Sequence, residues 1–262
     1  MPADVIDYEI IGDDLQAVVL TLDPGEACVA EAGAMMYMED DIDMATELSM
    51  KQDSGGVFGK LFEAGKRVLA GESFFITLFA NQGGQRRDVA FAAPYPGHIV
   101  PVDLNAHQGR LICQKNAFLC AARGIDVDIH LNRKIGAGLF GGEGFILQRL
   151  SGDGLAFLHA GGSVWSRTLQ AGETLRVDTG CLVAFEQTVN YDIQMVKGIK
   201  SVFFGGEGLF FVTLQGPGTV WLQTLPFSRL ADRIIASAPR HGGDSVGEGS
   251  VLGGIGRMLG GD

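Results

Sequence analysis

Apolar and polar residues alternate along long stretches of the chain. Ile125, Val127 and Ile129 are apolar, while Asp126, Asp128 and His130 between and after them are polar. Sixty-four positions later, Val189, Tyr191, Ile193 and Met195 alternate with Asn190, Asp192 and Gln194. A period of two predicts strands with one buried face and one wet face. Residues 8–50 also read as strands, broken by the turn Asp23-Pro24-Gly25-Glu26. Residues 48–70 differ. Val57, Phe58, Leu61, Phe62, Val68 and Leu69 recur at near-helical spacing around Lys60, Glu63, Lys66 and Arg67, which predicts a short amphipathic helix. Strands resume at Glu72 and run to about Leu225. A second helix is predicted from Pro226 or Ser228, with Leu230, Ile234 and Ile235 on one face.

The same pattern recurs three times. Gly71-Glu72-Ser73-Phe74-Phe75, Gly142-Glu143-Gly144-Phe145-Ile146 and Gly206-Glu207-Gly208-Leu209-Phe210 are versions of one phrase. From Asn116 to Gly154, adding 64 lands on the matching residue of the third copy. The first copy starts 83 positions earlier (Gly33 against Asn116) and ends 71 positions earlier (Glu72 against Glu143), so it carries a twelve-residue insertion within 48–70. A repeat of about 65 residues is marginal as an independent core, so the copies are expected to pack side by side.

The expected fold is therefore mainly β. It comprises three short β-sandwich or barrel repeats about a pseudo-threefold axis, with one or two short helices. The predicted boundaries are 1–88, carrying the helical insertion 48–70; then 89–154, 155–225, a closing helix over 226–238, and a mobile glycine-rich tail over 239–262. Gly33, Asn116 and Gly180 share one position, read as a tight turn with positive φ. Ser151–Gly154 and Gln215–Gly218 match as hairpin turns.

Net charge is −11. That opposes nucleic-acid binding, which draws most of its affinity from Lys and Arg on phosphates. The basic pairs Lys66-Arg67, Arg86-Arg87 and Arg133-Lys134 read as solvated turns. No run is long enough for a membrane helix, and the start, Met1-Pro2-Ala3-Asp4, lacks an apolar leader block. Cys28, Cys113, Cys120 and Cys181 have no metal or redox spacing and read as small core residues in a reducing compartment. The expected location is cytoplasmic.

The repeated glutamates Glu72, Glu143 and Glu207, with Gly142 and Gly206, are the candidate site. A carboxylate in such a turn can accept backbone N–H groups and pin the strand entry. Alternatively, the three converge on the pseudo-threefold axis and hold a cation or a shared proton. The string Gly136–Gly141 matches GxGxxG, but the third copy has Lys200 and Val202 at its first two glycines, so it reads as a repeat turn and not a dinucleotide loop. Glu39-Asp40-Asp41 and Asp43 read as a solvated turn. His98, His107, His130, His159 and His241 show no metal-ligand spacing, and no GxSxG nucleophile elbow occurs. Trp165 and Trp221 read as core or interface aromatics. No catalytic residue, metal or cofactor is expected. In the tail, Leu252, Ile255, Met258 and Leu259 fall on weak helical spacing and could dock a protein partner. Lack of positive charge weakens a membrane-surface role.

Gly71–Phe75 after a Lys-Arg-containing segment, Gly141–Gly144, Gly205–Gly208 and the closing Leu225–Ala231 together resemble the altered-inheritance-of-mitochondria family over roughly 5–235. The resemblance implies three tandem short double-stranded β-folds, like that of the tryptophan-RNA-binding attenuation protein, and trimer-like ring assembly. It implies no enzyme activity. The expected function is a non-enzymatic homo-oligomeric assembly protein, with a trimer favoured. The alternatives are a small-molecule or cation binder with pockets between repeats or subunits, and an enzyme with a carboxylate site at the Gly-Glu turns.

Overall fold

The computed structural model describes residues 2–31, 33–48, 75–133, 145–195 and 210–238. Among these residues the chain is mainly β, in four antiparallel sheets. The first sheet runs β1 (Asp7–Ile11), β2 (Ala17–Leu22), β7 (Arg87–Ala92), β4 (Met35–Met38). The second runs β5 (Ile42–Leu48), β6 (Phe75–Asn81), β3 (Ala27–Glu31), β10 (Phe118–Ala122), β13 (Leu155–Gly161), β8 (Gly97–Asp103). The third runs β11 (Asp126–Arg133), β12 (Phe145–Ser151), β9 (Arg110–Gln114), β16 (Leu182–Glu186), β19 (Gly218–Gln223), β14 (Val164–Leu169). The fourth is β15 (Thr174–Asp178), β18 (Phe210–Gln215), β17 (Asn190–Met195).

Two apolar clusters lie between these layers. The larger gathers Leu20 and Phe91 of the first sheet, Phe79, Phe118 and Phe157 of the second, and Leu111, Cys113 and Leu150 of the third. The smaller gathers Ile112, Phe145, Leu147 and Phe185 of the third sheet with Val177, Val212 and Leu214 of the fourth. Strand β9 feeds both: Leu111 and Cys113 point into one cluster and Ile112 into the other. A strand covered on both faces needs apolar residues at every position, and Leu111-Ile112-Cys113 supplies them.

Three ladders break register at related places. The break falls between Met35 and Tyr37 in β4, between Phe118 and Cys120 in β10, and between Leu182 and Ala184 in β16. These positions are 83 and 64 apart. Each break puts one extra residue on its strand, which bends the strand and increases its twist.

The turns differ in detail from the sequence expectation. Gly25 has a φ of 86°, and the Glu26 carboxylate accepts the Asp23 N–H at 2.8 Å, so Asp23–Glu26 is the expected turn. Gly33 also has positive φ, at 86°. Asn116 and Gly180 instead sit in 3-10 turns, Lys115–Ala117 and Thr179–Cys181, where the Asp178 carboxylate accepts the Gly180 N–H at 2.8 Å. Residues 151–154 join β12 to β13, which lie in different sheets, so this turn is a corner between layers and not a hairpin. Residues 215–218 do the same between β18 and β19. Ile129 is exposed although it continues the alternation of Ile125 and Val127; the β11–β12 ladder breaks just after it, between Ile129 and Leu131. The extra residue shifts the alternation beyond it and brings Leu131 onto the smaller cluster.

The chain divides into two units, Met1–Ser228 and Arg229–Asp262. The helix α1 (Phe227–Ser237) lies where the second helix was predicted, with Leu230 and Ile234 four positions apart along it. The predicted insertion helix lies outside the described residues, apart from its first position in β5. The tail 239–262 lies wholly outside them.

Candidate functional site

All the residues singled out as candidate sites in the sequence, namely Glu72, Glu143, Glu207, Gly142, Gly206, Leu252, Ile255, Met258 and Leu259, lie outside the described residues. The Gly136–Gly141 string does too. The described residues offer other polar centres and one unusual surface.

The most enclosed imidazole among the described residues is His159 on β13, 3% exposed. The Tyr95 ring stands edge-on to its imidazole, centroids 4.6 Å apart. Among the described residues no group makes a well-aligned hydrogen bond to either ring nitrogen. A Cβ on Gly97 would fall 2.5 Å from His159 Nε2, so the imidazole lies against bare backbone. Burial pushes His159 down to about 4; the Tyr95 backbone opposes the shift and the His98 charge adds to it. Burial and the Glu31 charge push Tyr95 up to about 12.

Sixty-four residues on, Gln223 occupies the matching end of β19 and is well satisfied. Its carbonyl accepts the Gly161 N–H and its amide donates to the Gly180 carbonyl, both at 2.7 Å. The contrast gives a prediction. In the unfolded chain a histidine holds its proton up to about pH 6.5, so His159 favours unfolding as pH falls from there towards 4. Its stabilising effect is whole above pH 6.5, and its loss reaches about 3 kcal/mol near pH 4. His159→Gln is expected to flatten the dependence of the urea midpoint between pH 7 and 4.5. An equal acid loss in both proteins would rule the explanation out.

A second polar pair is His107 with Glu186, Nδ1 to Oε1 at 2.7 Å, both half-buried. The other Glu186 oxygen accepts the Thr219 N–H at 2.8 Å, and Trp221 stands edge-on to His107. The carboxylate thus ties the turn after β8 to β16 and β19. A shallow, open depression lies at the turns, lined by Pro2, Gly124, Asp126, Ser151, Gly152 and Asp153. Among the described residues no three His, Cys, Asp or Glu side chains are grouped to hold a metal ion. Burial pushes the thiols of Cys28, Cys113 and Cys120 far up, so they stay protonated at neutral pH.

The unusual surface is β4. Met35, Met36, Tyr37 and Met38 are 39%, 48%, 40% and 40% exposed. The matching strand β10, 83 positions on, is buried throughout, and so is all of β16 but its last residue. Those two are covered because they sit inside six-stranded sheets, β10 against β3 and β16 against β9. Strand β4 ends its sheet. Strand β15 is a parallel case: it ends the fourth sheet with Thr174 and Arg176 exposed, while its counterparts β3 and β9 are mostly buried. An exposed apolar edge is a template for another strand. The sequence signal was four consecutive apolar residues, Met35-Met36-Tyr37-Met38, where a half-wet strand would alternate.

Comparison with known proteins adds the family. The sequence profile described as mitochondrial biogenesis AIM24 matches residues 8–225. An uncharacterized protein of Streptococcus pyogenes serotype M6 is 31% identical over 219 residues, covering 83% of this chain and 84% of that one. A crystal structure of a Streptococcus pyogenes protein superposes with a TM-score of 0.69 at 23% identity, over 89% of this chain and 100% of the other. At that identity the likeness shows the fold.

Proposed function

We propose, from the premise that the chain belongs to the mitochondrial biogenesis AIM24 family, that it is a non-enzymatic protein whose work is to assemble with copies of itself into a scaffold. In this reading residues 17–92, 97–161 and 164–223 are three copies of one six-stranded unit of the short double-stranded β-helix kind. The register breaks in β4, β10 and β16 support it, as they fall at matching steps of the repeat.

The observation that carries the proposal is the exposed edge Met35–Met38. Among the described residues an isolated chain leaves four large apolar side chains on a strand paired on one side only, a feature that monomeric proteins avoid with charges, prolines or short edges. Covering it with an identical chain satisfies both the backbone groups and the apolar area. A trimer is the stoichiometry that the family resemblance suggests. The buried thiols suit a reducing, cytoplasmic setting.

Light scattering across micromolar concentrations tests the reading. The expected mass is a whole multiple of 27.8 kDa. A mass that stays at one chain throughout would overturn it.

A further inference from the structure

We propose that β4 of one copy pairs antiparallel with β15 of a second copy, with Tyr37 opposite Val177, Met38 opposite Arg176 and Glu39 opposite Leu175. The inference rests on the assembly reading above and gives that assembly a joint, a direction and a register.

Two joints of this kind already exist within the chain. In the second sheet β3 meets β10, with Ala30, Val29 and Cys28 opposite Cys120, Ala121 and Ala122. In the third sheet β9 meets β16, with Cys113, Ile112 and Leu111 opposite Ala184, Phe185 and Glu186. Adding 83 carries Ala30, Val29 and Cys28 onto Cys113, Ile112 and Leu111, and adding 64 carries Cys120, Ala121 and Ala122 onto Ala184, Phe185 and Glu186. The two joints are thus one joint repeated.

The same steps define a third. Sixty-four positions beyond Cys113, Ile112 and Leu111 stand Val177, Arg176 and Leu175. Eighty-three positions before Cys120, Ala121 and Ala122 stand Tyr37, Met38 and Glu39. Both halves of this third joint are present, each as the end of a sheet: β7-β4 in the first and β15-β18 in the fourth. Strand β4 even carries the register break that β10 and β16 carry beside their joints. The joint is made twice and left open once. Each chain then offers one β4 and one β15, and head-to-tail pairing between copies makes a ring where the rotation closes and a filament where it does not. The completed sheet, β17-β18-β15-β4-β7-β2, would repeat the six-stranded order of the second and third sheets, with β1 added as a seventh strand at one end.

Charge fits the same register. Arg176 is exposed on β15, and Asp40 lies on the turn two residues beyond Met38, within diagonal reach of a long side chain opposite Met38.

The test uses two chains that can be joined only to each other. Met38→Cys in one chain and Arg176→Cys in a second, longer tagged chain are co-expressed, both carrying Cys181→Ser, and oxidised. Both positions are exposed in the single chain, so neither substitution burdens the core. The expected result is a disulfide between unlike chains, at least tenfold more than in the pair Met38→Cys with Thr174→Cys. Thr174 lies on the same face two residues along, roughly 7 Å out of register. Equal yields, or none, overturn the joint. The wild-type mass separates the two proposals. A multimer without the cross-link leaves self-assembly standing through another face. A one-chain mass, with a disulfide inside a single chain bearing both cysteines, shows that β4 and β15 close on one another in the monomer and overturns both.

Discussion

Phe157→Ala is expected to lower stability by about 3–5 kcal/mol. Phe157 is fully buried on β13, an interior strand of the second sheet between β10 and β8, and is part of the larger cluster. The Tyr8 ring meets it edge-on at 4.9 Å and loses that partner, a contact worth about 0.5–1.5 kcal/mol beyond its area. The neighbours come from paired strands held in register on both sides, so they are poorly able to collapse into the space. In a chain of this size the melting temperature should fall by roughly 6–20 °C. Ile129→Ala is the matched control. Ile129 sits in an equally convincing apolar alternation but is exposed, so the change should stay within about 0.5 kcal/mol. A calorimetric scan in which the two variants shift alike would contradict the placement of both side chains.

Replacing Met36 and Met38 together with Lys is expected to abolish assembly while leaving the chain folded. Both side chains are exposed in the single chain, so two charges there cost little. In the proposed assembly they take the places of Leu119 and Ala121 in β10, and of Val183 and Phe185 in β16, all of them buried. Burying two unpaired ammonium groups costs several kcal/mol each, more than one sheet edge can offset. The mass should fall to 27.8 kDa. The wild-type melting temperature is expected to rise with concentration, and the variant should lose that dependence. A variant that keeps both the wild-type mass and its concentration dependence would remove β4 from the interface.

The β class was legible because alternation with period two is a direct imprint of the pleat. The helix at Phe227–Ser237 was legible from Pro226, Ser228 and the spacing of Leu230 and Ile234. What sequence reading missed was how strands are joined and shared. A glycine turn such as Ser151–Gly154 looks the same whether it closes a hairpin or carries the chain from one sheet to another. The break at Ile129–Leu131 inserts one unpaired residue without disturbing the alternation in the letters, so neither the exposure of Ile129 nor the change of face at Leu131 has a signal in them. His159 carried no motif. Its interest comes from standing where Gln223 makes two hydrogen bonds, a comparison that needs the ladder register. The Gly-Glu phrases marked the repeat in the sequence, and as site candidates they fall outside the described residues.

The most direct test of the assembly account is amide hydrogen exchange on the intact wild-type protein, read residue by residue over 35–39 and 174–178. A strand at an open edge protects only the amides that face its own sheet, whereas one inside a sheet protects both sets. The account predicts protection on both sets in β4 and β15, as slow as in β3, β9, β10 and β16. Fast exchange on every second residue of β4, at concentrations where the protein is at work, would contradict it.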